Sequence, residues 1–119
     1  MSKPATRWTD VSLSDGQSAR WAGAMTTPMA LAVAPRLAAA RPSAIEIASA
    51  ATLQQCVARG EDPWQRIELL RERCAGVPLR TSITLVPGHG RRGGDVVSTE
   101  LALLWLHELA HRGVAEVVV

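Results

Sequence analysis

Across WTDVSLSDG, Val11 and Leu13 alternate with polar neighbours, the period-two pattern of a half-buried strand, and the pattern halts on Asp15-Gly16. Thr27 as cap and Pro28 at the first helical position then open a helix over residues 27–40, which Arg41-Pro42 closes. Pro35 within that helix predicts a kink or a break. The run AIEIA at residues 44–48 reads as a short buried strand, and residues 52–59 as a short helix closed by Gly60. Asp62 as cap and Pro63 in the first turn start another helix, which continues through Ile67, Leu69 and Leu70 to Cys74, with Gly76 as its terminal glycine. Residues 79–86 predict a third strand with Ile83 and Leu85 on one face. The loop PGHGRRGG follows, then a helix over 99–112 ending at Gly113, and a fourth strand over 115–119.

Strands and helices therefore alternate, and alternation at this spacing implies an α/β fold with a parallel sheet and right-handed crossovers. A complete (βα)8 TIM-type barrel takes ~250 residues, and this chain has 119. Val117, Val118 and Val119 would form a bare apolar edge, which finished proteins avoid. The pattern predicts the first four strands of a barrel, a half barrel spanning residues 1–119 as one domain.

Composition changes this picture little. Hydrophobic residues make up 47% and charged residues 20%, with a net charge of +2, which describes a globular chain. The pI near 8.9 comes from scattered arginines rather than a basic run, so no nucleic-acid partner is expected. The apolar stretch at residues 30–40 is too short to span a bilayer and is interrupted by Pro35 and Arg36, and no signal peptide is visible, so no membrane partner is expected either. Cys56 and Cys74 have neither CxxC nor metal-type spacing and are expected as reduced, buried thiols of a cytoplasmic protein.

Two motifs suggest chemistry of their own. His107-Glu108-Leu109-Ala110-His111 matches HExxH, which on a helix sets two imidazoles one turn apart for zinc, with the glutamate as base. Nothing after His111 supplies a third ligand. With Leu106, Leu109, Ala110 and Gly113 taken as the apolar face and Ala102 and Leu103 one turn earlier, His107, Glu108 and His111 fall on a solvated side. A zinc hydrolase is therefore kept only as the disfavoured reading. Gly88-His89-Gly90-Arg91-Arg92-Gly93 matches GxGxxG, but the helix starts only near Ser98 and two arginines stand where a dinucleotide fold packs tightly. A loop at the barrel mouth able to attract an anion is the favoured reading.

Three stretches together resemble the carboxyltransferase domains of pyruvate carboxylase, oxaloacetate decarboxylase and transcarboxylase, of the hydroxymethylglutaryl-CoA lyase-like superfamily. SLSDGQS is similar to the superfamily's first-strand signature TLRDGxQS. IEIASAATLQQCVARGEDPWQRIELLRE resembles the family's VEVWGGATFDVCLRFLNEDPWERLRLLR, and is most specific at EDPW. LHELAHRGVAEVVV has the rhythm of the fourth unit, which would put HELAH on an outer helix. The resemblance implies a TIM-type barrel that holds a divalent metal (zinc, cobalt or manganese type) at its mouth. It implies carboxyl transfer to or from a 2-oxo acid of the pyruvate/oxaloacetate type, with carboxybiotin as carrier. Asp15 would be a metal ligand, and Glu46 and Gln17 would line the catalytic site. The other ligands would belong to later strands, so the implied partners are the remainder of the barrel or a complementing chain, and a biotin carrier domain or subunit.

The departures bear on activity. Ser14 stands where the signature has arginine, and Thr84 where the family's third strand has a substrate-contacting arginine. Gln17 matches the signature's glutamine only across a one-residue deletion; without a gap the position is Ser18. Asp15 as a mere strand-ending carboxylate and Glu46 as a buried acid paired to a nearby arginine are the competing readings, and a degenerate, non-catalytic half barrel or partner module is the alternative for the whole chain.

Overall fold

The computed structural model describes residues 4–83 and 99–119. Its elements are β1 (Thr9–Asp10), α1 (Gln17–Trp21), α2 (Thr27–Ala39), β2 (Ala44–Ser49), α3 (Ala50–Ala58), α4 (Pro63–Arg73), β3 (Leu79–Ser82), α5 (Thr99–His111) and β4 (Glu116–Val118), with a π-helical turn at Ser12–Gly16 leading into α1. The four strands form one sheet in the order β1-β2-β3-β4, every pair parallel. This is the sheet of a partial TIM-type barrel. Among the described residues no helix is long and apolar enough to cross a membrane.

The core lies between one sheet face and the helices. Ile45 and Ile47 of β2 and Leu79 of β3 meet Ala30 and Ala34 of α2, Ile67 and Leu70 of α4, and Leu109 of α5. Residues 44–48 of β2 are all buried, Ile45 and Ile47 in the core with the helices and Glu46 on the other face beneath Ser14 of the π turn. Cys56 and Cys74 are free and buried.

The first strand differs most from expectation. It ends at Asp10, not at Asp15, because the Asp10 carboxylate accepts the Ser12 amide at 2.9 Å and turns the chain. The Val11 carbonyl then accepts the amides of Ser14 (3.2 Å) and Gly16 (2.9 Å), closing the π turn. A side chain at Gly16 would lie 3.3 Å from that carbonyl, so the turn favours glycine there. Leu13 and Ser14 consequently point inward together while Asp15 and Gly16 are exposed, a helical rather than an alternating pattern.

Smaller differences have equally local causes. Thr26, not Thr27, caps α2, accepting the Met29 amide at 3.4 Å; Thr27 instead bonds Glu61. Pro35 does not break α2, which continues to Ala39. α3 starts two residues early because Ser49 and Thr52 form a reciprocal capping box. Asp62 caps α4 as expected, accepting the Trp64 and Gln65 amides. β3 is assigned only to Ser82, although the Ile83 amide still bonds the Val118 carbonyl at 2.9 Å; residues 84–86 and the loop motif at 88–93 lie outside the described residues.

On α5, Leu109 is buried in the core and Ala102 is also buried, whereas Leu103 and Ala110, expected on the apolar face, are exposed. Trp105 packs on Trp64 of α4 with ring centroids 4.8 Å apart. Arg112 lies over the same Trp64 ring at 4.9 Å and pairs with Glu68 and Glu108. One flank of α5 is therefore sealed by α4.

Candidate functional site

Glu46 lies mid-way along β2, on the sheet face turned away from the helices. Leu79, Thr81 and Ile83 are buried, so Arg80 and Ser82 project from the opposite side of β3. The register pairs Glu46 with Arg80 and Arg80 with Glu116, which sets acid, base and acid in one row across three strands. Arg80 Nε is 3.5 Å from Glu46 Oε2, and Arg80 Nη1 is 3.9 Å from Glu116 Oε1.

The other carboxylate oxygen of Glu46 accepts two hydroxyls, Ser14 Oγ at 3.0 Å and Ser82 Oγ at 3.1 Å. Glu46 is 8% exposed and Ser14 fully buried, so two hydroxyl hydrogen bonds and one ion pair meet a desolvated acid. Between Glu46 and Ala48 the pairing with β3 shifts by one residue, a bulge beside the cluster. The hydroxyl of Ser14 thus approaches Glu46 from the turn after β1, and the guanidinium of Arg80 from β3.

The remaining sequence candidates have different surroundings. Asp15 sits on the exposed side of the π turn, while its neighbour Ser14 reaches Glu46. Gln17 is buried, and its Oε1 accepts the Met25 amide at 3.3 Å, which ties the start of α1 to the loop before α2. Among the described residues no group of three or more His, Cys, Asp or Glu side chains is placed to hold a metal. The barrel signature offers only Asp15 and the HExxH motif only His107 and His111, fewer than three ligands in either place, so these residues do not by themselves fit a divalent ion. His107 and His111 are exposed, and Glu108 is turned to Arg112.

A second polar network pins the loop before α2. Arg59 donates to the carbonyls of Gly23 (2.8 Å) and Met25 (3.0 Å), and the buried Arg66 donates to Met25 at 3.1 Å. Glu61 joins them, 3.4 Å from Arg59 and 3.8 Å from Arg66, and accepts the Thr27 hydroxyl at 2.6 Å. Burial acts to raise the Glu61 carboxyl, but the bonds from Thr27 and Arg59 outweigh it and hold the group below its ordinary value. Burial likewise lowers the Arg66 guanidinium, opposed by the nearby Cys56 and Glu61. The sequence reading did not single out Arg59, Glu61, Arg66 or Arg80. A charged residue inside the expected third strand was the available signal for Arg80.

No protein-family model and no curated protein matches the chain. Solved structures do. The carboxyl transferase domain of Rhizobium etli pyruvate carboxylase with pyruvate matches 97% of this chain with a TM-score of 0.82 at 21% identity. The same domain with 3-hydroxypyruvate matches 94% with a TM-score of 0.80 at 22% identity. The fold is that of a partial TIM-type barrel. At such identities the likeness carries the fold and nothing finer. The chain spans 19% of each of those solved domains, and 10% of a longer Rhizobium etli pyruvate carboxylase chain matched with a TM-score of 0.81.

Proposed function

We propose that this chain is the N-terminal half of a carboxyltransferase-type barrel, whose complete form transfers or removes a carboxyl group at a 2-oxo acid of the pyruvate/oxaloacetate type in the cytoplasm. The observation that supports this best is the match of 97% of the chain to carboxyl transferase domains, one of them holding pyruvate. In this reading carboxybiotin would supply the carboxyl group, and a divalent metal held by Asp15 with ligands from later strands would supply Lewis-acid chemistry at the 2-oxo acid. The described residues contribute one ligand of the barrel signature, Asp15. What this chain's residues do is shape the inner face: Ser14, Ser82 and Arg80 fix the Glu46 carboxylate, and Gln17 holds the loop that follows.

The test uses the barrel completed by its remaining strands. Replacing Asp15 by alanine is expected to lower bound metal and oxaloacetate decarboxylation together. Undiminished metal with full activity would show that Asp15 is only an exposed turn residue. A second reading, a non-catalytic barrel module, is favoured by the engagement of Glu46 and Gln17 in internal bonds. It predicts that the completed barrel binds neither metal nor 2-oxo acid.

A further inference from the structure

We propose that Arg59, braced by Glu61 and Arg66, is a positioning residue that fixes the direction of Asp15 through Met25 and Gln17. The coupling is a property of this chain, and its bearing on activity rests on the carboxyltransferase reading of Asp15. Asp15 is exposed on the π turn, so the backbone of that turn decides where its carboxylate points. Gln17 closes the turn, its amide donating to the Ser12 carbonyl. Gln17 is buried, and two bonds tie it to the loop between α1 and α2. Its carbonyl accepts the Gly23 amide at 3.4 Å, and its Oε1 accepts the Met25 amide at 3.3 Å. The loop has a strained start: Ala22 at φ +49° and Gly23 at φ +79° are successive left-handed residues, and Ala22 carries a side chain.

Arg59 meets this loop from the C-terminal cap of α3. Its guanidinium donates to the carbonyls of Gly23 and Met25, the two residues whose amides reach Gln17. Arg66 of α4 donates to the same Met25 carbonyl, although its side chain is only 1% exposed and its Nε and Nη2 find no oxygen acceptor. A buried cation with unused donors is costly, so what Arg66 fixes explains it better than any stability it adds. Glu61 sits between the two guanidiniums, 3.4 Å from Arg59 and 3.8 Å from Arg66, and offsets their mutual repulsion. It also accepts the Thr27 amide at 3.1 Å, which anchors the far end of the loop at the start of α2. Glu61 opens EDPW, the run in which the resemblance is most specific, and the brace gives it a task that the inner-face row does not. Hydrogen bonds thus run without a break from Arg59 through Met25 and Gln17 to the turn that carries Asp15.

Amide hydrogen exchange on the full 119-residue chain tests the brace. Arg59→Gln is expected to speed exchange of the Gly16 and Gln17 amides roughly 10-fold, the weight of a charge-assisted hydrogen bond. The Trp64 and Gln65 amides, bonded to Asp62 at the start of α4, should keep their rates, and Arg59→Lys should restore most of the protection. In Gln17→Met the link is already cut, so adding Arg59→Gln should cause no further change at Gly16. Unaltered exchange at Gly16 and Gln17 in Arg59→Gln overturns the proposal. So does equal acceleration at all amides, which is global destabilisation, and so does an additive effect in the double variant. In the completed barrel, Arg59→Gln is expected to slow oxaloacetate decarboxylation roughly 10-fold and Arg59→Lys to restore it. Full activity of Arg59→Gln in a barrel that Asp15→Ala inactivates overturns the proposal as well. Should Asp15→Ala itself leave full activity while Arg59→Gln still loosens Gly16, the reading of Asp15 falls and the brace stands.

Discussion

At the scale of residues, the most informative contact is between Glu46 and Arg80. The sequence allowed two readings of Glu46, an acid lining the barrel mouth and a buried acid paired with arginine; the geometry supplies the arginine without removing the acid from the inner face. Pairing of a nearly buried acid with a partly exposed guanidinium is expected to couple by about 1 kcal/mol, below the value for a fully buried pair. Urea unfolding of Glu46→Gln, Arg80→Gln and the double variant gives that coupling, and additive effects would show that the two charges merely lie close. Glu61 makes a separate prediction. Its folded carboxyl titrates below 4.5, its ordinary value, so its contribution is full above that pH and is lost as pH falls through the lower folded value. Stability should decline with acid over that window, and less steeply in Glu61→Gln. This network was not legible beforehand, because its members meet only after α2 and α4 pack.

Elements were legible where a local signal dominates. Asp62-Pro63 and the glycines at 60, 76 and 113 mark helix ends in the sequence, and each of those glycines adopts positive φ. The first strand was misjudged because Val11 and Leu13 satisfy the alternating pattern by coincidence, while the Asp10 side chain bonds the backbone two residues on and ends the strand. Capping offers a direct check on α3. Ser49 accepts the Thr52 amide and Thr52 reciprocates at 2.7 Å, so Ser49→Ala is expected to cost about 1 kcal/mol in thermal or urea unfolding. Gly23 tests the loop that Arg59 secures. With φ at +79° and the Gln55 side chain where a β-carbon would go, Gly23→Ala is expected to destabilise by more than about 1 kcal/mol. An unchanged melting temperature would mean that the loop relaxes freely.

For the whole molecule, four parallel strands in sequence order with helices on one face leave the other face of the sheet to carry the row Glu46, Arg80 and Glu116. The alternation of elements made that architecture readable from the sequence. The chemistry was less readable, because a barrel site gathers side chains from many strands, and the described residues contribute few of them. Metal affinity follows from this directly. Divalent ions bind strongly only when several ligands are held in a fixed geometry, and the described residues hold no group of three candidate ligands. Titration of zinc, cobalt or manganese into the 119-residue chain alone should therefore reveal no stoichiometric site, whereas the barrel completed by its later strands should bind one ion and lose it with Asp15→Ala. Tight binding by the short chain that persists in Asp15→Ala but vanishes in His107→Ala would move the metal to α5, making the HELAH helix the functional one. Binding by neither form would leave the inner-face row as a structural ladder, with Arg80 keeping β2, β3 and β4 in register.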